Sequence, residues 1–223
     1  MRFKSVIFDL DGTLLDTIED LTDAMNAALG SMGYPGRSVA ECKKLVGDGL
    51  DTYVRRAMPQ GAADDPQAAA RLKALMRAEY KVRQDHKTKP FVGIEGMLAA
   101  VVRLDIPMAV LSNKPHDSTL AVMKRYFPQV DFRVIFGARD GVPVKPDPAS
   151  ALEIARLMNV PPAETAYVGD TNTDMRTAVA AGMFPVGALW GFRTAEELLA
   201  NGARALVEKP ADLLEILTNK DKA

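Results

Sequence analysis

The chain has 223 residues, 48% of them hydrophobic, a formal net charge of −1 and a single cysteine, Cys42, which suits one domain with an insertion and excludes an internal disulfide. The near-even charge balance sets up no field toward nucleic acid or an anionic membrane surface, and no run approaches the ~18 apolar residues of a membrane-crossing helix. The apolar run after Met1-Arg2-Phe3-Lys4 is too short for a leader and is broken by Asp9 and Asp11, so a cytoplasmic protein with no nucleic-acid or membrane partner is expected.

Val6-Ile7-Phe8 reads as a strand buried on both faces, and it runs into Asp9-Leu10-Asp11-Gly12-Thr13. Carboxylates at i and i+2 of an extended backbone point the same way. Gly12 permits a sharp departure from the strand. Ligands of open α/β sheets bind beyond the carboxyl ends of the strands. Taken alone, the stretch fits either an acidic turn or a ligand site.

Over residues 15–90 the pattern is helical. Leu21, Met25, Ala28, Leu29 and Met32 keep helical spacing until Gly33 and Pro35-Gly36. Ser38 with Glu41 predicts a capping box that opens a short second helix, which Gly47-Asp48-Gly49 ends. A third helix runs over about 50–58. Asp65 followed by Pro66 predicts the N-cap and first position of a fourth, continuing to about Arg83. No strand is predicted here, so the stretch reads as a helical insert after the first strand. Cys42 has no ligand set near it and reads as a small buried residue.

From Phe91 onward helices and strands alternate. Strands are predicted over 108–111, 134–136, 166–168, 184–186 and 205–207. Helices are predicted over 94–104, 117–126, 148–158, 174–181 and 194–201, with a last one over about 210–217 and a charged, frayed tail from Asn219. Such alternation defines a parallel sheet with helices on both faces and right-handed crossovers.

Polar residues gather at the strand ends: Ser112-Asn113-Lys114-Pro115, Lys145-Pro146-Asp147-Pro148, and Gly169-Asp170-Thr171-Asn172-Thr173-Asp174. A doubly wound sheet brings its strand ends to one edge. Asp9, Asp11, Asp170 and Asp174 would then share a cleft, which is costly unless a cation or protons neutralise them. Oxygen donors without a His or Cys cluster favour Mg²⁺, and an Mg²⁺ site with few protein ligands commonly serves a phosphate. Lys145, Ser112 and backbone N–H groups would complete an anion pocket. Each residue has a plainer reading: Lys145 as a solvated loop lysine, Ser112 as a turn cap, Asp170 as a turn residue, Asp174 as a helix-start acid. The plain readings must all hold at once, which favours the cleft.

In order and placement these four segments resemble the four motifs of the haloacid dehalogenase-like superfamily, and the insert resembles its C1-type cap. The resemblance covers essentially the whole chain. It implies an α/β fold: a Rossmann-like parallel-sheet core over 1–14 and 91–223 with helices on both faces, and a small α-helical cap domain over 15–90 inserted after the first strand. It also places the first strand between the second and the fourth. Asp11-Gly12-Thr13-Leu14-Leu15-Asp16-Thr17, Ser112-Asn113-Lys114-Pro115 and Val168-Gly169-Asp170-Thr171 are similar to the phosphoglycolate phosphatase branch. Branches that cleave pyrophosphate, nucleotides or sugar phosphates share much of this pattern.

The resemblance implies a role for each residue. Asp9 is the expected nucleophile, forming an aspartyl-phosphate, and Asp11 the general acid and base. Mg²⁺ is expected on Asp9, Asp170 and the backbone carbonyl of Asp11, with Asp174 orienting a metal water or Lys145. Thr13, Ser112, Asn113 and Lys145 are expected on the transferring phosphoryl group. The implied activity is Mg²⁺-dependent hydrolysis of a small phosphorylated metabolite, 2-phosphoglycolate foremost, by a monomer or homodimer.

The cap is expected to exclude water and choose the leaving group, with hinges near 14–17 and 89–93. Val46-Gly47-Asp48-Gly49-Leu50 is either a selector loop or an ordinary helix–helix turn. Lys43, Lys44, Arg55 and Arg56 are candidates to meet an acidic leaving group. His86 and His116 read as surface residues and Trp190 as packing. Thr17-Ile18-Glu19-Asp20 counts against a β-phosphoglucomutase-like transferase, which usually carries a histidine at this hinge. Asp11 and Asp170 count against a metal-free dehalogenase, and the large insert against a phospho-acceptor signalling module.

Overall fold

The computed structural model describes residues 3–219; the leader reading at Met1-Arg2 and the tail reading from Lys220 lie outside the described residues. β1 (Ser5–Phe8) is buried along its whole length. Its alternate side chains serve different layers. Val6 and Phe8 pack with Ile94, Leu98 and Leu217 on one side, whereas Ile7 joins Ala109, Ile154, Tyr167 and Ala178 on the other. A strand covered on both faces has no polar side, hence its unbroken apolar run.

The chain then passes through β2 (Leu15–Asp16), α1 (Ile18–Gly30), α2 (Val39–Leu45), α3 (Leu50–Ala57) and α4 (Pro66–Arg83), and returns through β3 (Lys89–Pro90). These helices bury Met25, Leu29, Cys42, Leu72 and Met76 in an apolar cluster of their own. The capping box of Ser38 and Glu41 forms, and Asp65 caps α4 with Pro66 in its first turn, as the sequence predicts. β2 and β3 pair antiparallel, Leu15 against Pro90 and Asp16 against Lys89. This ribbon ties the entry of the helical segment to its exit. Two residues are too short to show a period, so the sequence pattern holds no trace of it.

The remaining elements are α5 (Ile94–Arg103), β4 (Met108–Pro115), α6 (His116–Tyr126), β5 (Phe132–Ala138), α7 (Ala149–Met158), β6 (Thr165–Gly169), α8 (Asn172–Ala180), β7 (Phe184–Ala188), α9 (Ala195–Ala200), β8 (Ala205–Val207) and α10 (Leu213–Thr218). Six strands form one parallel sheet in the order β5-β4-β1-β6-β7-β8. β1 therefore lies between β4 and β6, where it was expected. Phe8 is level with Val110 on one side and Val168 on the other, so the residues just beyond these three meet at one edge. β4 is longer than the sequence suggests: Ser112-Asn113-Lys114-Pro115 stay in the strand, with a register shift against β5 between Leu111 and Pro115. Among the described residues no helix is long and apolar enough to cross a membrane.

Candidate active site

Asp9 directly follows β1, and its N–H donates to the carbonyl of Val168 at 2.9 Å, extending the β1–β6 pairing by one residue. Lys145 enters from the segment between β5 and α7. Its Nζ lies 2.7 Å from Asp9 Oδ1 and 2.7 Å from Asp174 Oδ1, with the lysine side chain only 2% exposed. The other oxygen of Asp174 accepts from the Thr171 N–H at 3.0 Å and from its hydroxyl at 2.6 Å, closing the capping box of α8. One carboxylate thus both starts a helix and holds the lysine.

Asp170, directly after β6, accepts the Thr13 hydroxyl at 2.8 Å and the Phe192 N–H at 2.9 Å. The backbone crowds it closely. Gly12 has φ +92°, and a Cβ there or at Gly191 would collide with the Asp170 side chain. Glycine is required at Gly12 for conformation as well as for space. Trp190, partly buried against the core, donates from Nε1 to the Thr13 carbonyl at 2.9 Å, so it braces the same turn.

Asp9, Asp170 and Asp174 each offer an oxygen within 4.8 Å of the others. Burial, then the nearby Asp174, raises Asp9 well above the usual carboxylate range. The same two causes push Asp170 up to about 7. Burial opposes the charge of Lys145, but Asp174 and Asp9 outweigh it and hold the ammonium well above its usual value. Three carboxylates against one ammonium leave surplus negative charge in a buried place. A hard divalent cation taking oxygen ligands fits that donor set.

The Asp11 side chain is not part of this carboxylate group; its Oδ1 sits 2.6 Å from the buried Lys114 Nζ. Ser112 lines the cavity, and its Oγ accepts the Lys114 N–H at 3.2 Å. Two residues expected on phosphate spend their groups inside the protein. Thr13 gives its hydroxyl to Asp170 and its N–H to the Leu10 carbonyl. Asn113 donates to the carbonyls of Lys145 at 3.0 Å and Gly47 at 3.1 Å, and accepts the Lys145 N–H at 2.9 Å. Buried polar groups find partners wherever packing offers them. Here Asn113 fixes the backbone that carries Lys145.

A cavity of about 530 Å³ opens above this floor. Asp9, Asp11, Ser112, Asn113 and Lys145 line it from the sheet side, and Val46, Gly47, Gly49 and Leu50 border it from the insert. None of Lys43, Lys44, Arg55 and Arg56 lines it. Arg55 and Arg56 are exposed, and Arg56 pairs with Asp48 at 2.6 Å. The insert's cations at the cavity are instead Arg77 and Lys81 of α4. Lys114 lines the cavity as well, although the sequence marks it only as one of the polar residues at a strand end. His116, half-buried, accepts the Gly137 N–H at 3.1 Å and so is no free surface residue, whereas His86 is exposed.

The chain belongs to the haloacid dehalogenase-like hydrolase family, which it matches over residues 6–188. Within that family it is similar to curated phosphoglycolate phosphatases. That of Xanthomonas campestris pv. campestris (strain 8004) is 33% identical over 219 residues, spanning 96% of this chain and 97% of the relative. That of Pseudomonas savastanoi pv. phaseolicola is 30% identical over 219 residues, spanning 96% of this chain and 77% of the relative. A crystal structure of a Lactobacillus delbrueckii subsp. bulgaricus protein superposes with a TM-score of 0.91 at 28% identity, covering 99% of this chain and 100% of that one.

Proposed function

We propose that this protein hydrolyses small phosphomonoesters in the cytoplasm, 2-phosphoglycolate foremost, with residues 15–90 acting as a cap on a core of 1–14 and 91–223. The observation that carries the reading is Lys145 held between Asp9 and Asp174 on the floor of a cavity that Asp11 also lines. The relatives named phosphoglycolate phosphatase supply the choice of substrate.

Asp9 and Asp170, with the Asp11 carbonyl, are assigned to hold Mg²⁺, whose charge would balance both the carboxylates and the phosphoryl oxygens. An Asp9 oxygen attacks phosphorus, the ester P–O bond breaks, and the leaving alkoxide takes the proton carried by Asp11. Water then gives a proton to the Asp11 carboxylate and attacks the phosphorus of the aspartyl-phosphate. The P–O bond to Asp9 breaks, phosphate departs and the free carboxylate is regained. Lys145, fixed by two carboxylates, offsets charge on the phosphoryl oxygens, and the Ser112 hydroxyl donates to one of them. The insert keeps bulk water from the acyl-phosphate.

Phosphate release from 2-phosphoglycolate tests this. Steady turnover is expected with MgCl₂, none in EDTA, and none in Asp9→Asn with an unchanged circular dichroism spectrum. Release that stops at about one equivalent per chain marks a phospho-acceptor and overturns the reading.

A further inference from the structure

The steps above make no use of Lys114, although it lines the cavity. Its side chain is 4% exposed, its ammonium is 2.6 Å from Asp11 Oδ1, and it lies over the ring of Tyr80, 4.7 Å from the centroid. Tyr80 comes from the opposite side, from α4, is 6% exposed and lines the same cavity. Its hydroxyl makes no hydrogen bond of good geometry among the described residues, and the polar group beside it is the Lys114 ammonium. A buried hydroxyl without a partner is costly, and proteins rarely leave one so without a ligand or water to meet it. Burial pushes this phenol up to about 12, so it stays a donor at neutral pH.

An ammonium has three donors, of which Asp11 takes one. Lys114, from the core, and Tyr80, from α4, meet at the cavity beside the carboxyl assigned to protonate the leaving oxygen. We propose that Lys114 and Tyr80, one from each wall of the cavity, form the subsite that binds a carboxylate on the leaving group and so selects short phosphooxy carboxylates among phosphomonoesters. The proposal rests on the phosphatase reading and assigns its selectivity to two residues. The spacing limits the substrate: an ester oxygen on Asp11 and an anion on Lys114 lie within roughly two hydrogen-bond lengths of a shared contact, which a spacer of one or two carbons spans. A second phosphate suits the place less well. A dianion asks for more positive charge than an ammonium already shared with Asp11 supplies, and Arg77 and Lys81 are exposed at the rim, which Asp117 also lines.

The test compares kcat/KM for 2-phosphoglycolate, ethyl phosphate and pyrophosphate in the wild type, Tyr80→Phe, Lys114→Met and Lys114→Arg. Ethyl phosphate keeps the two-carbon chain without the carboxylate, and Tyr80→Phe keeps the ring that packs in the insert. The wild type is expected to prefer 2-phosphoglycolate over ethyl phosphate by at least about tenfold, the scale of a hydrogen bond to a charged group. Tyr80→Phe should cut that preference about fivefold or more through KM, Lys114→Met should abolish it, and Lys114→Arg should restore part of it. A preference untouched by both Tyr80→Phe and Lys114→Met overturns the subsite, as does a wild type that favours pyrophosphate. Equal hydrolysis of all three compounds overturns the subsite and leaves the phosphatase reading standing. If none is hydrolysed with Mg²⁺, the phosphatase reading falls; glycolate binding, followed by NMR, then decides the subsite, upheld if Tyr80→Phe weakens it and overturned if the two proteins bind alike.

Discussion

The Thr13 hydroxyl donates to Asp170 Oδ1 across 2.8 Å, joining the turn after β1 to the residue directly after β6 over a separation of 157 residues. Both residues are fully buried, so no water competes for the bond. It fixes the rotation of a carboxylate assigned to the divalent ion. Thr13→Val keeps the shape and removes the donor. Mg²⁺ affinity, followed by calorimetric titration, is expected to fall roughly 10–100-fold, as it does when a ligand loses its supporting hydrogen bond. Thr13→Ser should retain most of it. Unchanged affinity in Thr13→Val removes this role.

Asp11 differs from Asp9 in its partner, since Lys114 rather than Lys145 holds it, and it is the residue assigned the acid role. A general acid matters most when the leaving oxygen is basic. Asp11→Asn should lower kcat for 2-phosphoglycolate by about 10²–10⁴-fold, and much less for p-nitrophenyl phosphate, whose phenolate leaves without a proton. Equal losses on both esters would take Asp11 out of the acid role.

Removal of divalent ions should reverse the pH dependence of stability contributed by Asp170. Its carboxyl is pushed up to about 7 by burial and then by Asp174, against about 3.9 in an unfolded chain. The folded state therefore binds the proton more tightly. In EDTA the stabilisation is complete below about pH 4 and is lost as the pH rises through about 7. Thermal melts from pH 5 to 8 should show the wild type losing Tm relative to Asp170→Asn. Mg²⁺ at about 100 times its dissociation constant should add ~2.7 kcal/mol at the upper end of that range. A difference between the two proteins that does not change with pH in EDTA counts against the buried, surplus charge.

Arg193 reaches from the segment after β7 to the C-terminal end of α2. Its guanidinium donates to the carbonyls of Lys43, Lys44 and Val46, the last at 2.7 Å, and its Nε lies 3.2 Å from Glu197. Asn113 holds Gly47 and Thr173 holds Asp48 nearby. The insert's loop is thus seated on segments adjoining Asp170, Lys145 and Asp174. Arg193→Ala removes charge-assisted bonds worth roughly 1.5–3 kcal/mol. Amide hydrogen exchange over 43–50 should accelerate about 10–100-fold, with KM rising more than kcat falls. Unaltered exchange there refutes the seating role.

Much of this protein is local. The apolar run of β1, the boxes at Ser38 and Asp65, and the alternation after Phe91 each express a preference of neighbouring residues, and each formed where the pattern put it. The β2–β3 ribbon and the extension of β4 through Pro115 did not show, because the one is too short for a period and the other is polar. The four cationic candidates of the insert were drawn from chain proximity to the glycine loop, yet α4, farther along the chain, supplies Arg77 and Lys81.

By itself the sequence determined that carboxylates and a lysine would collect at one rim of a parallel sheet, because strand ends and the polarity beyond them are properties of short segments. Only the tertiary structure decided the partnerships: Thr13 with Asp170, Asn113 with the Lys145 backbone, Asp11 with Lys114, and Tyr80 across from them. Such pairs join residues far apart in the chain, and which donor meets which acceptor depends on how helices and strands pack, a choice that no local pattern encodes.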